Sequence, residues 1–518
     1  MRTRIMDGDF RWLFAVLFGA LATGIMLLRL FVPVPVGMAD NGDGLRLMCQ
    51  VGVGPHATSR KDLFNSWAIL DYFTVHVTPG SCLNYPSTTK LLMQFWAYLS
   101  HETGATAGLD LRFALLTYAI FVGLLVLALT LLFRSPVIQG IVAVLFVLVV
   151  GDTAFADYLA SPFTETAGIV GLIGMAVSGA YLGAFRAKRV ASVLALPVFL
   201  GCAYLLVNAK TQMITIIAPI ALFLLWHAVR LVIDVFRART FFAVAAAVVA
   251  VGVGFSGLGL LGVSAKDTYD RNPDDFAVIN PTEVIFVGIL GISDDPAADL
   301  REMDLPEGLA DRAGNSWWRG VEAPQNDELF PAVEHKMTYG TAAAFLLHHP
   351  DRAIAMANVA ANDFLAARTD YLGNFAKESG AKAGTQDGRL VVASTTLATL
   401  KGGGLVVLFF FSVLLLVGAI FALRRLEPGT IKGGLASVSL LLFAIAWTQF
   451  VTCAYGEAIE NTKHLVVAVL AGMLCATTLI AAALAEGERR PPRPERARRG
   501  AAPTKTAATP EEVTAVSA

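Results

Sequence analysis

The chain has 518 residues, of which 55% are hydrophobic and only 16% are charged. A water-soluble globular protein with this composition would have to expose far more apolar surface than such proteins do, so that class is excluded. The formal net charge is −1, and no phosphate-binding loop or dinucleotide motif occurs, so ATP hydrolysis has no visible basis and we expect no nucleic-acid partner.

Long apolar runs dominate the chain from one end to the other. A membrane-spanning helix needs about 20 apolar residues. Ten such runs occur, near 12–32, 111–133, 136–151, 162–183, 190–207, 213–233, 241–264, 398–423, 434–453 and 464–485. We therefore predict an all-α polytopic membrane protein with about ten transmembrane helices. The first run is too long for the apolar part of a secretory signal and is interpreted as a retained helix.

The first polar stretch after a predicted helix is "VGMADNGDGLRLM", residues 36–48. If a helix begins here, Asp40 and Asp43 share one face, and so do Asp43 and Arg46. Two carboxylates held close together do not titrate alike, so one can remain a base. The glycines of this stretch would loosen it. The alternative is that Asp40 or Asn41 only caps the helix.

Two shorter loops follow along the chain. "GDTAFADYLASPFTETAG" contains Asp157 and Glu165, and a carboxylate at the membrane boundary is costly unless it has a partner or a ligand. A metal or sugar-hydroxyl contact is one interpretation, and ordinary turn chemistry is the other. "VNAKTQ" contains Lys210 and Gln212. A lysine close to the membrane interior suggests a functional role. The alternative is that its side chain only extends to the outer membrane interface.

The longest polar segment, 265–397, exceeds an ordinary connection. Apolar residues recur at helical spacing over 337–369, which predicts amphipathic helices on the outer membrane surface or packed over the bundle. We interpret the segment as a cap rather than an independent enzyme domain. Its adjacent Trp317 and Trp318 could stack on a sugar or a lipid; anchoring in a core or interface is the alternative.

The last polar loop, "YGEAIENTKHL", places Lys463 and His464 at the start of the final helix. A helix N-terminus attracts anions through its unpaired N–H groups, and a lysine strengthens that attraction. A charge-balanced turn with Glu457 and Glu460 is the alternative interpretation.

Basic residues collect in alternate loops, which predicts the orientation. With the N-terminus in the cytoplasm, the inner loops contain Arg134, Arg186, Lys188, Arg189, Arg230, Arg237, Arg239, Arg424, Arg425 and Lys432. We therefore expect a multi-pass protein of the cell membrane with both termini in the cytoplasm. All the candidate groups above lie outside.

The predicted organisation has four parts. They are an N-terminal transmembrane module (1–264) with a first outer loop (33–110), the cap (265–397), the C-terminal transmembrane helices (398–485), and a basic tail (486–518) too poor in large apolar residues to fold. Cys49 and Cys82 both fall in the first outer loop, where a disulfide between them is possible. The sequence alone does not decide whether it forms.

Seven motifs together resemble bacterial S-layer glycan hexosyltransferases of the GT-C glycosyltransferase superfamily. They are "ADNGDGLR", "SPFTE", "NAKTQ", "VIFVGILGISDDPAADLREMDLP", "HHPDR", "YLGNF" and "GEAIENTKHL". The resemblance implies a GT-C-like fold that transfers a hexose from a polyprenyl-phosphate donor to a cell-envelope glycan or lipid-linked acceptor outside the membrane. It also implies a catalytic carboxylate in the first outer loop, which is Asp43, supported by Asp40.

The remaining candidates fall into two roles. Fixed cations stabilise the charge that grows on a departing phosphate, which is the expected role of Arg46, Lys210, Lys463 and His464. Asp157, Glu165, Gln212 and Trp317 are expected to contact the sugar or the acceptor. No cofactor is predicted, and a divalent cation is left open.

Three other functions fit part of the pattern. A transporter or flippase for a lipid-linked or anionic solute would explain the membrane helices, although its polar groups should lie near mid-membrane. A noncatalytic scaffold would leave the lysines without a role. A polymerase or ligase of lipid-linked glycans would also act outside the membrane.

Overall fold

The computed structural model describes most of the chain. The described residues are 3–56, 64–77, 82, 85–238, 241–271, 276–424 and 429–485. The predicted disordered tail, and the basic residues Arg2, Arg239 and Arg425, lie outside them.

Helices form nearly all of the regular structure. In the first half they are α1 (Thr3–Phe31), α2 (Gly44–Val51), α3 (Thr89–Glu102), α4 (Arg112–Thr130), α5 (Pro136–Val150), α6 (Thr153–Ala156), α7 (Glu165–Gly183), α8 (Arg189–Val207), α9 (Ile217–Ala238) and α10 (Phe241–Asp270). In the second half they are α11 (Phe276–Glu283), α12 (Pro296–Glu302), α13 (Phe330–Val333), α14 (Tyr339–His348), α15 (Pro350–Ala366), α16 (Val392–Ala398), α17 (Gly404–Arg424), α18 (Ile431–Gly456), α19 (Asn461–His464) and α20 (Val466–Leu484).

The membrane helices match the ten apolar runs. Within the described ranges, nine helices are long and apolar enough to cross a membrane, and α5 with the short helical turns after it makes a tenth span if this pair, bent by 53°, counts as one. The predicted all-α polytopic membrane fold is confirmed. α7 is buried almost throughout, whereas α10 and α17 expose most of their apolar surface, as expected for helices that contact lipid.

A small sheet, which the sequence did not predict, lies in the first polar segment. It has strands β1 (Val53–Pro55), β2 (Asp71–Thr74) and β3 (Leu109–Asp110), all antiparallel and in the order β1-β2-β3. Cys49 and Cys82 form a disulfide, which settles the pairing that the sequence left undecided. The bridge ties α2 to the residues before α3.

The cap segment has an apolar core of its own. The core includes Phe286, Leu300, Leu309, Phe330 and Phe345. The helices predicted over 337–369 are α14 and α15. They are separate because Pro350 cannot continue a helix from the preceding turn, and α14 ends at His348. α15 packs against α17, α18 and α20, so this part of the cap lies over the bundle.

Candidate active site

The first loop is folded by Asp40. Its Oδ1 accepts hydrogen bonds from the backbone N–H groups of Gly42, at 2.9 Å, and Gly44, at 3.0 Å. α2 begins only at Gly44, with Asp43 as its N-cap residue. The expectation that Asp40 and Asp43 share a helix face was therefore wrong, because residues 40–43 form an Asx-type turn. Asp40 supports the loop and is itself buried.

The glycines of this loop allow close packing. A Cβ atom on Gly44 would collide with the Pro162 ring and lie 2.8 Å from Asp40 Oδ2, and one on Gly37 would collide with the Ala160 carbonyl. The expectation that these glycines loosen the loop was wrong. They let it pack tightly against residues 160–162, which fixes Asp43 in place.

Asp43 forms an ion pair with Lys463, 420 residues later in the chain. The Lys463 side chain is 0% exposed, whereas that of Asp43 is 50% exposed. Lys463 Nζ also lies 2.9 Å from Glu460 Oε2. Burial raises the pKa of Asp43, but the charges of Lys463 and Lys210 outweigh burial and lower the pKa to about 2. Asp43 is thus an ionised and accessible carboxylate.

Lys210 organises the other half of the same site. Its Nζ lies 3.3 Å from Glu165 Oε1, 3.7 Å from Glu457 Oε2 and 2.9 Å from His464 Nδ1. The same imidazole nitrogen contacts Glu457. Gln212 Nε2 donates to the His464 carbonyl at 3.2 Å. Burial lowers the pKa of His464, but Glu457 outweighs burial and raises it, which favours the imidazolium.

These residues form one group, which we call the charged cluster: Asp43, Glu165, Lys210, Glu457, Glu460, Lys463 and His464. The structure thus brings together both lysines, the histidine and the predicted base. Sequence reasoning treated Glu457 and Glu460 only as flanking acids. One sequence feature could have identified them: both acids lie just before Lys463, at the start of the last membrane helix, where a buried lysine needs a partner.

The turn that carries Glu457 and Glu460 is strained. Ala458 has φ 60° and Glu460 has φ 47°, a left-handed conformation that residues with a Cβ rarely adopt. Asn41 Nδ2 donates to the Glu460 carboxylate at 2.8 Å, and the Tyr339 hydroxyl donates to the Gly456 carbonyl at 2.7 Å. Strain of this kind persists when surrounding contacts enforce it, and it concentrates at functional sites.

Arg46 contacts two neighbouring aromatic rings, whose centroids are 6.4 Å apart. Its guanidinium carbon is 4.8 Å from the Phe276 ring centroid and 5.9 Å from that of Tyr85. Within the part of the chain that the structure describes, it makes no ion pair. Arg46 is therefore a cation that pairs with no carboxylate of the described residues. Tyr85 and Phe276 could not be identified from the sequence, because no spacing links them to Arg46.

Two predicted site residues lie elsewhere. Asp157 is fully buried, with Oδ1 2.6 Å from an Arg29 guanidinium nitrogen. The Trp317 ring packs edge-on against Phe330 in the cap core, with centroids 5.8 Å apart. Asp157 is therefore an internal acid that pairs with Arg29, and the expectation that it contacts a sugar was wrong. Trp317 is only partly buried, and its contact with a sugar stays a prediction.

Among the residues described, no group of three His, Cys, Asp or Glu side chains has an arrangement that could hold a metal ion. The carboxylates of the charged cluster are instead occupied by lysines and an imidazole.

The charged cluster lies at one end of the bundle, opposite a basic loop. Glu165 begins α7, whose 19 residues span about 28 Å, and Arg186 follows its other end. The two ends of the protein therefore differ in their charged groups, as the alternation of basic loops predicts.

The sequence matches the family described as "YfdI N-terminal transmembrane domain" over residues 9–494. The match includes the membrane helices, the cap and the whole charged cluster. No curated protein and no solved structure matches the chain significantly.

Proposed function

Since the chain belongs to the family described as YfdI N-terminal transmembrane domain, we propose that it is an integral-membrane glycosyltransferase. It transfers a hexose from a polyprenyl-phosphate donor to a cell-envelope glycan or lipid-linked acceptor on the extracytoplasmic face. The observation that carries the proposal is Asp43, a half-exposed carboxylate backed by the fully buried Lys463. It offers an accessible base beside fixed positive charge.

Asp43 acts as the general base in this proposal. An acceptor hydroxyl attacks the anomeric carbon, its proton passes to Asp43, and the bond from that carbon to the phosphate oxygen breaks with its electron pair. A base with a pKa of about 2 is weak. A bound phosphate would compete for Lys463 and Lys210, whose charges lower that pKa, so donor binding strengthens the base just when it is needed.

The cations divide into two kinds. Arg46 has no carboxylate partner among the residues described, and its planar guanidinium suits a phosphate, so we propose it as the direct phosphate contact. Lys210, Lys463 and His464 are buried and paired, and they act as fixed charges that stabilise the departing phosphate. Glu165 and Gln212, expected to contact the sugar, instead position Lys210 and His464.

An apolar groove near the cluster supports a lipid-linked donor. It has a volume of about 210 Å³ and lies between α15, α17, α18 and α20. Its lining includes Phe364, Leu408, Phe411, Trp447, Phe450 and Val469. Val469 follows His464 by five residues, roughly 8 Å along a helix. A lipid whose phosphate lies at the cluster could therefore place its chain in this groove.

The test is transfer by the purified protein from a panel of glucosyl, galactosyl and mannosyl polyprenyl phosphates to a cell-envelope glycan fraction. Asp43→Asn should lower the rate by about 10²–10⁴, the usual contribution of a positioned base. Asp351→Asn, at an exposed position of α15, is the matched control and should leave the rate unchanged.

Normal turnover by a folded Asp43→Asn variant would refute the assignment of the base. Movement of an intact donor across vesicles, without transfer from any member of the panel, would favour the transporter.

A further inference from the structure

A buried carboxyl group in the cap, Glu283, has an unused oxygen. It is the last residue of α11, where the π-helix Val284–Ile289 begins, and it is 1% exposed. Its Oε1 accepts the backbone N–H of Trp317 at 2.8 Å. Its Oε2 is buried and has no hydrogen-bond partner among the described residues. An ionised carboxylate in that state would be costly.

Glu283 directly precedes the π-helix that contacts the strained turn of the charged cluster. The π-helix packs on this turn, since a Cβ atom on Gly288 would lie 3.0 Å from that of Ala458. π-Helices of one or two turns often occur at functional sites. The charged groups that face Glu283 are Glu457 and Glu460. Lys463 and His464 pair with those two acids and leave Glu283 without a cation.

The surroundings of Glu283 favour its protonated form. Burial raises its pKa to about 8; the Trp317 N–H opposes this, and the charges of Glu460 and Glu457 add to it. The protonated Oε2 is then a hydrogen-bond donor without an acceptor in the described protein, and the charged cluster beside it is where the substrate binds.

We propose that Glu283 holds a hydroxyl group of the transferred sugar through a hydrogen bond from Oε2, so that the cap reads the sugar of the donor. The inference rests on the proposed function, because it takes a polyprenyl-phosphate hexose as the ligand. It assigns opposite tasks to two carboxyl groups: Asp43 is ionised and accepts a proton, while Glu283 is protonated and donates a hydrogen bond.

The test measures binding rather than turnover. The probes are the glucosyl, galactosyl and mannosyl polyprenyl phosphates and polyprenyl phosphate without a sugar, with the full-length protein in detergent. Glu283→Ala should weaken binding of the preferred sugar lipid by about tenfold, the effect of one lost hydrogen bond. Binding of the sugar-free lipid should not change.

Glu283→Gln keeps a donor of similar size and should bind the sugar lipid nearly as the wild type does. Because Glu283 donates only while protonated, the wild type should lose the sugar-dependent part of its affinity as pH rises through about 8. Glu283→Gln should not. Glu328→Gln, at an exposed position of the cap, is the matched control and should behave as the wild type.

The inference is overturned if Glu283→Ala weakens both lipids equally or neither, or if no sugar lipid binds more tightly than the sugar-free one. A sugar-dependent effect in a protein that transfers nothing would refute the transferase and leave the hydroxyl contact standing.

Discussion

The protein has two groups of buried charged side chains, and only one of them leaves carboxylates accessible. Arg29 contacts both Asp157, at 2.6 Å, and Asp387, at 3.0 Å, and all three side chains are almost completely buried. Arg389 joins the group through Asp387 and donates to the carbonyls of Val32 and Val34. We call these four residues the Arg29 group. In the charged cluster, by contrast, Asp43 is 50% and Glu460 32% exposed.

The difference distinguishes buried charges that stabilise the fold from charges that are accessible for chemistry. The Arg29 group links the end of α1 to the loop before α7 and to the residues before α16, and its acids face arginine rather than solvent. The charged cluster buries its lysines and leaves two acids accessible. A buried charge near a membrane boundary is therefore not enough to indicate a site, and an accessible carboxylate beside a buried cation is the more specific feature.

The largest effect that this comparison predicts is on stability. Arg29→Met leaves Asp157 buried without its cation and Asp387 paired with Arg389 alone, and breaking a buried pair in this way costs about 3–5 kcal/mol. The thermal unfolding midpoint in detergent should fall strongly. Arg301→Met is the matched control, because Arg301 and Glu307 form an exposed pair whose loss should change the midpoint little. Equal midpoints for the two variants would contradict the structural role of the Arg29 group.

The second prediction concerns the position of Asp43. In Gly44→Ala the new methyl group collides with Pro162 and displaces the loop. A shift of about 1 Å in a catalytic group can cost about 10²-fold in rate, so hexose transfer should fall by that factor while the protein stays folded.

The control for this variant is Gly201→Ala, in α8, where an added Cβ meets nothing within 4 Å. Its transfer rate should equal that of the wild type. A Gly44→Ala variant with full activity would show that the loop need not pack against Pro162.

The sequence predicted the membrane helices well because the bilayer imposes their length and composition. The three strands have two to four residues each, which is too short for an alternating pattern to appear. The apolar spacing over 337–369 predicts helices but not their boundary, which Pro350 sets between α14 and α15.

The site was predictable in part, for an electrostatic reason. Lys210 and Lys463 could be selected because a lysine near membrane depth is costly without a role. Their partners depend on contacts between distant parts of the chain, such as the hydrogen bond between Asn41 and Glu460, 419 residues apart. Asp157 resembled Asp43 locally, and only the position of Arg29 distinguishes an acid that completes the fold from one that remains accessible.

The smallest predicted effect is at Arg46, where the charged cluster meets the aromatic rings. Arg46→Lys keeps the charge but loses the planar group that contacts the Tyr85 and Phe276 rings. That group can also hold a phosphate through two parallel bonds. The KM for the sugar lipid should rise about tenfold, equivalent to about 1.4 kcal/mol. The maximal rate should change little, because the substitution does not alter Asp43 or Lys463. Arg301→Lys, in an exposed ion pair of the cap, is the control. If Arg46→Lys instead lowered the maximal rate at unchanged KM, Arg46 would act on the departing phosphate in the transition state, and the division between a contacting arginine and buried fixed charges would have to be given up.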